Sequence, residues 1–283
     1  MTEHGGSDDS DGSDGHVEEL LHGGVANAGA VTRLGDHVLR PSNAHTSAIH
    51  AFLTELRAAG FDGASQPVGI DPDGRERLVF IGGDVPIPPY PAWARTNEAL
   101  ASIAVLLRRY HDAARLVGVP VGAAWSQEMA DQDRDGTPTD ELIVCHNDVC
   151  LENVVFRDGI AVALLDFDLA APGRPLYDLA QFARMCVPVD DEVNAPKLGW
   201  EPHDVFARLR LVADAYGLPP GRSEFLAVLA AGIERGGEFV LRRVHEGDPN
   251  FIKMWNDLGG MERFDRRRRW FAENADRFAE TLG

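Results

Sequence analysis

The chain has 283 residues, 44% of them apolar, and a formal net charge of −18. That length suits one large domain or two lobes, and the apolar share supports a packed core. The acidity disfavours a nucleic-acid-binding role, because phosphate backbones demand basic faces. An acidic surface can instead draw in a cationic small molecule.

Residues 1–15 are rich in Gly, Ser and Asp and are expected to form a disordered acidic tail. They have neither a basic start nor an apolar centre, so they do not read as a signal peptide. The longest strongly apolar run, 225–233, is too short to span a bilayer. Cys145, Cys150 and Cys186 are too few and scattered for a disulfide framework. They read as small buried side chains, and a cytoplasmic setting is expected.

In residues 17–40 the sequence predicts a small strand pair, preceded by the glycine-bearing segment His22-Gly23-Gly24-Val25-Ala26-Asn27. Residues 30–34 and 37–40 flank Gly35-Asp36 as a hairpin whose second strand ends at Arg40. Ile49, Phe52, Leu53 and Leu56 then recur at helical spacing, with His50 and Glu55 on opposite flanks of that stripe. Residues 66–70 and 77–81 read as strands joined by Pro72-Asp73-Gly74, a strong turn signal. Gly82-Gly83-Asp84-Val85-Pro86 breaks the pattern and marks a hinge. The expected division is therefore a tail over 1–15, an N-terminal lobe over 16–83 and a C-terminal lobe over 84–283.

Residues 97–112 carry Leu100, Ile103, Ala104, Leu107 and His111 on one helical face. The loop-rich link 118–138 contains Asp131, Asp133 and Asp135, which resemble the start of a calcium loop. Leu142 stands where such a loop needs its bidentate glutamate, so calcium is not expected.

The stretch 144–168 organises the rest. Two apolar runs, 142–145 and 160–165, end in His146-Asn147-Asp148 and Asp166-Phe167-Asp168. Between them, Val154-Val155-Phe156 precedes Asp158-Gly159, the signal of a tight hairpin turn. This arrangement brings Asp148, Asn153 and Asp166 near one another. Phosphoryl transfer needs a carboxylate to orient and deprotonate the attacking hydroxyl, which suits Asp148. It also needs a few hard oxygen ligands for magnesium, which suits Asn153 and Asp166.

His146, Asp148 and Asn153 fit the H-x-D-x-x-x-x-N spacing of kinase catalytic loops. With the segment Leu164-Leu165-Asp166-Phe167-Asp168 and the later Asp178-Leu179-Ala180, the chain resembles the aminoglycoside phosphotransferase and choline kinase group. The resemblance is specific over about residues 140–185 and weaker on either side. It implies an α+β, protein-kinase-like fold, with a small antiparallel-sheet lobe carrying one helix and a larger, mainly helical lobe. ATP and Mg2+ would bind between them, and the γ-phosphate would pass to a hydroxyl of an aminoglycoside-like antibiotic, a sugar or an amino alcohol.

The resemblance further implies that Gly23, Gly24 and Asn27 lie in the phosphate-covering loop and that Arg40 holds phosphates where kinases carry lysine. An acidic residue of the following helix would steady that cation, and charge favours Glu55 over His50. Asp168 reads either as a second metal-side carboxylate or as a loop cap, and Asp178 either as an N-cap or as a brace for the catalytic loop. The missing lysine keeps a non-catalytic, kinase-like binding or immunity protein as the alternative. A metal-dependent phosphohydrolase is a third reading.

Beyond residue 190 the pattern is helical, with helices expected over 202–216, 223–245 and 265–282. The basic run 266–269 reads as a solvated face. Glu201, Asp204, Glu238, Asp248 and Asp257 are unranked acidic candidates for an acceptor pocket.

Overall fold

The computed structural model describes residues 17–21, 29–193 and 195–283. Its first part is a five-stranded antiparallel sheet in the order β1-β2-β3-β5-β4. The strands are β1 (Glu19–Leu20), β2 (Thr32–Leu34), β3 (His37–Pro41), β4 (Pro67–Ile70) and β5 (Arg75–Val79). Helix α1 (Thr46–Ala58) sits between β3 and β4, burying Ile49, Phe52, Leu53 and Leu56 as its stripe predicts. One boundary moved: β5 begins at Arg75, directly after the turn at Gly74, and not at 77. The earlier start puts Glu76 inside the sheet, directly opposite Arg40.

The hinge segment leads out of β5. Asp84 exchanges both backbone hydrogen bonds with Phe156, each 2.8 Å long, so the connection is stitched to the second lobe. Gly83 precedes this pairing at φ +150°, where a Cβ would stand 2.5 Å from the Phe156 carbonyl oxygen.

The second lobe is mainly helical: α2 (Asn97–Val117), α3 (Pro175–Cys186), α4 (Val205–Tyr216) and α5 (Ser223–His245) form its body. Thr96 caps α2 through a 3.1 Å bond from Ala99 N to its hydroxyl, and Leu100, Ile103, Ala104 and Leu107 face the core. Two short ribbons support the central stretch. One pairs β6 (Ile143–Cys145) with β9 (Ala171–Gly173); the other pairs β7 (Val154–Arg157) with β8 (Ile160–Leu164). Asp158 and Gly159 turn the second ribbon, both at positive φ (52° and 76°), as the favoured two-residue hairpin turns require.

The C-terminal reading needs correction. Three helices stand there: α6 (Pro249–Leu258), α7 (Gly260–Glu273) and α8 (Ala275–Leu282). Asp248 caps α6 with bonds from Asn250 and Phe251, and Asn274 breaks the expected last helix in two. The basic run is not a uniformly solvated face either. Arg267 is buried and donates to the Val189 and Arg184 carbonyls at 2.7 and 3.0 Å, while burial pushes its pKa down to about 10. Among the described residues no helix is long and apolar enough to cross a membrane.

Candidate active site

The loop between β6 and β7 is held from beneath by Asp178, in the first turn of α3. Its fully buried carboxylate accepts the backbone N–H groups of His146 (2.7 Å) and Asn147 (2.8 Å) and meets His111 Nε2 at 3.0 Å. His111 is tied in turn to the Tyr216 hydroxyl at 2.7 Å. Burial alone would raise the Asp178 pKa, but these donors and the His111 and His146 rings hold it below the usual carboxylate range. Of the two roles considered for Asp178, the structure shows the brace; the residue preceding α3 is Arg174.

Asn147 takes a positive φ of 65°, a conformation easy for glycine and tolerable for asparagine. Its amide donates to the Leu169 carbonyl at 3.0 Å, fastening this loop to the one after β8. His146 makes a second link, donating from Nε2 to the Leu165 carbonyl at 2.8 Å while Nδ1 accepts from Asp148 N at 3.3 Å. Burial lowers its pKa, which suits a neutral ring with that tautomer. These bonds tie the two loops together.

On this support stand Asp148, Asn153 and Asp166. Asn153 Nδ2 donates to both the backbone oxygen and Oδ2 of Asp148, each at 2.9 Å. With its nitrogen committed, Asn153 Oδ1 is left as an acceptor. Asp148 is half-buried, and its pKa is pushed up to about 8, chiefly by burial and then by the charge of Asp166; Arg184 opposes the rise. Asp166 sits at φ +60° just past β8.

Arg40 reaches this group from the other lobe. Its Nε donates to Glu76 Oε1 at 2.6 Å, Nη1 to Asp166 Oδ1 at 2.8 Å, and Nη2 to Asp168 Oδ1 at 2.7 Å. Burial works against its charge, but the three carboxylates outweigh that and raise its pKa. A guanidinium has five N–H donors, so one on each terminal nitrogen remains. Asp168 thus serves as an anchor for Arg40.

Glu55 does not join this group. It lies on the exposed side of α1, while Glu76 supplies the carboxylate from β5. The helix contributes His50 instead, whose Nε2 lies 2.6 Å from Glu76 Oε2. The β3–β5 register explains the exchange, because opposite-charge partners facing each other across a sheet need no helix between them. Gly23, Gly24 and Asn27 lie outside the described residues.

Arg40, Glu76, Asn153 and Asp166 line one cavity of about 290 Å³ between the lobes, with Val38 and Leu78 among its apolar walls. Its mixture of apolar walls and a charged end suits a flat heterocycle carrying phosphates. The donors present also fit magnesium, which takes oxygen ligands, keeps several waters and is held by one or two protein groups. Here those groups are the uncommitted Asn153 Oδ1 and the Asp166 carboxylate. Among the described residues no cluster of three or more His, Cys, Asp or Glu ligands forms a self-sufficient metal cage.

Sequence reading missed the neighbours of Asp148. Tyr90 donates its hydroxyl to Glu152 Oε2 at 3.0 Å, and burial raises the Glu152 pKa. Arg184, from the last turn of α3, is the one cation among the leading charges on Asp148. Glu152 lies in the loop itself, one residue before Asn153, whereas Tyr90 and Arg184 carry no motif and come from the segment before α2 and from α3. Asp131, read as part of a spoiled calcium loop, is buried and holds Arg174 through bonds of 2.7 and 2.9 Å.

Comparison with known proteins places these features in context. The model of the phosphotransferase enzyme family matches residues 12–212. A trifolitoxin immunity protein of Rhizobium leguminosarum bv. trifolii is 32% identical over 191 residues, covering 66% of this chain and 70% of that protein. Among solved structures, a choline/ethanolamine kinase family protein from Mesorhizobium loti superposes with a TM-score of 0.60 at 17% identity, covering 95% of this chain and 94% of its own. The GDP complex of aminoglycoside 2'-phosphotransferase-IIIa gives 0.56 at 15% identity, with 89% and 92% covered. These likenesses confirm the protein-kinase-like α+β fold.

Proposed function

The chain belongs to the phosphotransferase enzyme family, and from that premise we propose that it transfers the γ-phosphate of ATP, with magnesium, to a hydroxyl of a small molecule. The observation that carries this reading is the Asp148–Asn153 pair set beside a cavity lined by Arg40, Asn153 and Asp166. Asp148 orients the acceptor hydroxyl and takes its proton. The acceptor oxygen bonds to the γ-phosphorus, the bond from that phosphorus to the bridging oxygen of the β-phosphate breaks, and ADP leaves. Asn153 Oδ1 and Asp166 would hold the magnesium ion, which when bound would supply positive charge to the phosphates and favour the charged form of Asp148. Arg40 offers its two remaining N–H groups to the phosphates.

The test is a screen of purified protein with ATP, magnesium and a library of hydroxylated small molecules, read by product mass. The expected outcome is a phosphorylated product, formed with loss of one ATP. Nucleotide binding without turnover on any acceptor would instead favour a non-catalytic binding or immunity protein. That second reading is supported by the name of the 32%-identical relative and by the commitment of Arg40 to three carboxylates.

A further inference from the structure

Of the three carboxylates that hold Arg40, one is also the proposed magnesium ligand. Nη1 donates to Asp166 Oδ1 at 2.8 Å, Nε to Glu76 Oε1 at 2.6 Å and Nη2 to Asp168 Oδ1 at 2.7 Å. Two cations therefore call on Asp166. A doubly charged ion on its carboxylate would stand close to a guanidinium held 2.8 Å from Oδ1, and like charges at that range repel.

The three bonds are not equivalent. Glu76 faces Arg40 across the β3–β5 pairing and is 1% exposed. Both its oxygens are engaged, one by Arg40 and the other at 2.6 Å from His50 Nε2. A carboxylate so buried cannot lose its cation without standing as an unpaired charge. The side chains of Asp166 and Asp168 are more open, at 23% and 24% exposure. Of these two, Asp166 lines the cavity between the lobes and Asp168 does not. The Nη1 bond is thus the one at the cavity, where phosphates and metal would arrive. One guanidinium against three carboxylates also leaves this seam acidic, which disfavours a bare polyphosphate.

We propose that Arg40 and magnesium exchange on Asp166: as Asp166 takes the ion, Arg40 Nη1 is released and turns to the nucleotide's phosphates, while Glu76 and Asp168 keep the guanidinium in place. This rests on the phosphotransferase reading above and deepens it, because it makes Glu76 and Asp168 positioning residues for Arg40. The physical reason is a population shift. A ligand binds weakly to a protein whose competent arrangement is seldom populated, and a first ligand that populates it helps the second. Magnesium and nucleotide are then coupled through the chain's own arginine, in addition to any bond between metal and phosphate.

The test measures ADP binding by calorimetry, in EDTA and in excess magnesium, for the parent, D166N, R40Q and the double variant. Asparagine at 166 keeps the shape and removes the charge that pins Nη1. In EDTA, D166N is expected to bind ADP about ten-fold more tightly than the parent, although a proposed metal ligand is gone. The same change made in R40Q is expected to leave ADP affinity in EDTA nearly unaltered. No gain in D166N overturns the inference. So does an equal gain with and without Arg40, which marks a simple loss of repulsion. R40Q leaves three carboxylates facing one another and can fail to fold, so crystals of the parent supply a second readout. Without nucleotide or metal, Nη1 is expected on Asp166; with ADP and magnesium, on a phosphate oxygen, with Nε and Nη2 still on Glu76 and Asp168. Nη1 bonded to Asp166 in both crystals overturns the inference. A parent that binds ADP with magnesium but fails these tests loses the inference and keeps the phosphotransferase reading. A parent that binds no ADP even with magnesium loses both.

Discussion

Single side chains in this protein do work that their neighbours in sequence would not reveal, and Asp148 is the first to test. Its amide counterpart keeps the shape and the bond to Asn153 but cannot accept the acceptor's proton. Asp148→Asn is therefore expected to lower kcat by about two to four orders of magnitude, with ATP affinity nearly unchanged, as steady-state kinetics and nucleotide titration would show. Asn147→Gly is the matched control: the residue already sits at φ +65°, so activity should survive. A parent-like rate in Asp148→Asn would make Asp148 a turn former only. Asp178 belongs to stability. Asn in its place offers one good acceptor where three donors converge, so Asp178→Asn should cost about 3 kcal/mol. The sign with pH follows from its lowered pKa. The carboxylate's contribution is complete above the ordinary value near 4 and is lost as pH falls through the lower folded value. The gap between parent and variant in urea midpoints should thus be full at pH 7 and shrink in strong acid; a gap independent of pH would contradict the charge argument.

Between elements, the β3–β5 register and the hinge decide what reaches the site. The turn signal at Pro72-Asp73-Gly74 is legible, but the sequence pattern starts the next strand at 77 and leaves Glu76 outside it, whereas β5 begins at Arg75. Strand starts are set by pairing with a neighbour, here β3, and that pairing places Glu76 opposite Arg40. Charge alone favours Glu55 on one helix flank, but the flank that reaches Glu76 of the sheet carries His50. The hinge offers an element-scale test. At Gly83 a side chain would meet the Phe156 carbonyl at 2.5 Å, in a backbone conformation that L residues rarely adopt. Gly83→Ala should cost about 1–3 kcal/mol and loosen the pairing of Asp84 with Phe156, read as a lower urea midpoint and weaker ATP binding. A variant as stable as the parent would mean that this connection yields freely.

At the scale of the whole molecule the two lobes meet through Arg40, which ties Asp166 and Asp168 of one lobe to Glu76 of the other. A nucleotide with magnesium binding across this seam should stabilise the folded chain by about 2.7 kcal/mol at a hundred-fold excess over Kd. In a thermal-shift series, Asp166→Ala should fold but lose the magnesium-dependent part of the rise in Tm. An unchanged dependence would move the metal elsewhere. The sequence by itself determined the catalytic-loop spacing, the Asp-Gly hairpin and the helical stripes of α1 and α2, and, through the resemblance that its motifs carry, the fold class. The hairpin and the stripes rest on contacts between residues close in the chain, where periodicity and turn chemistry speak directly. Only the tertiary structure decided that Glu76 pairs with Arg40, that Asp168 anchors the same guanidinium, and that Arg267 is buried. Those contacts join residues tens of positions apart, and a charged side chain carries no sign in the sequence of which distant partner the packing of strands and helices will bring to it.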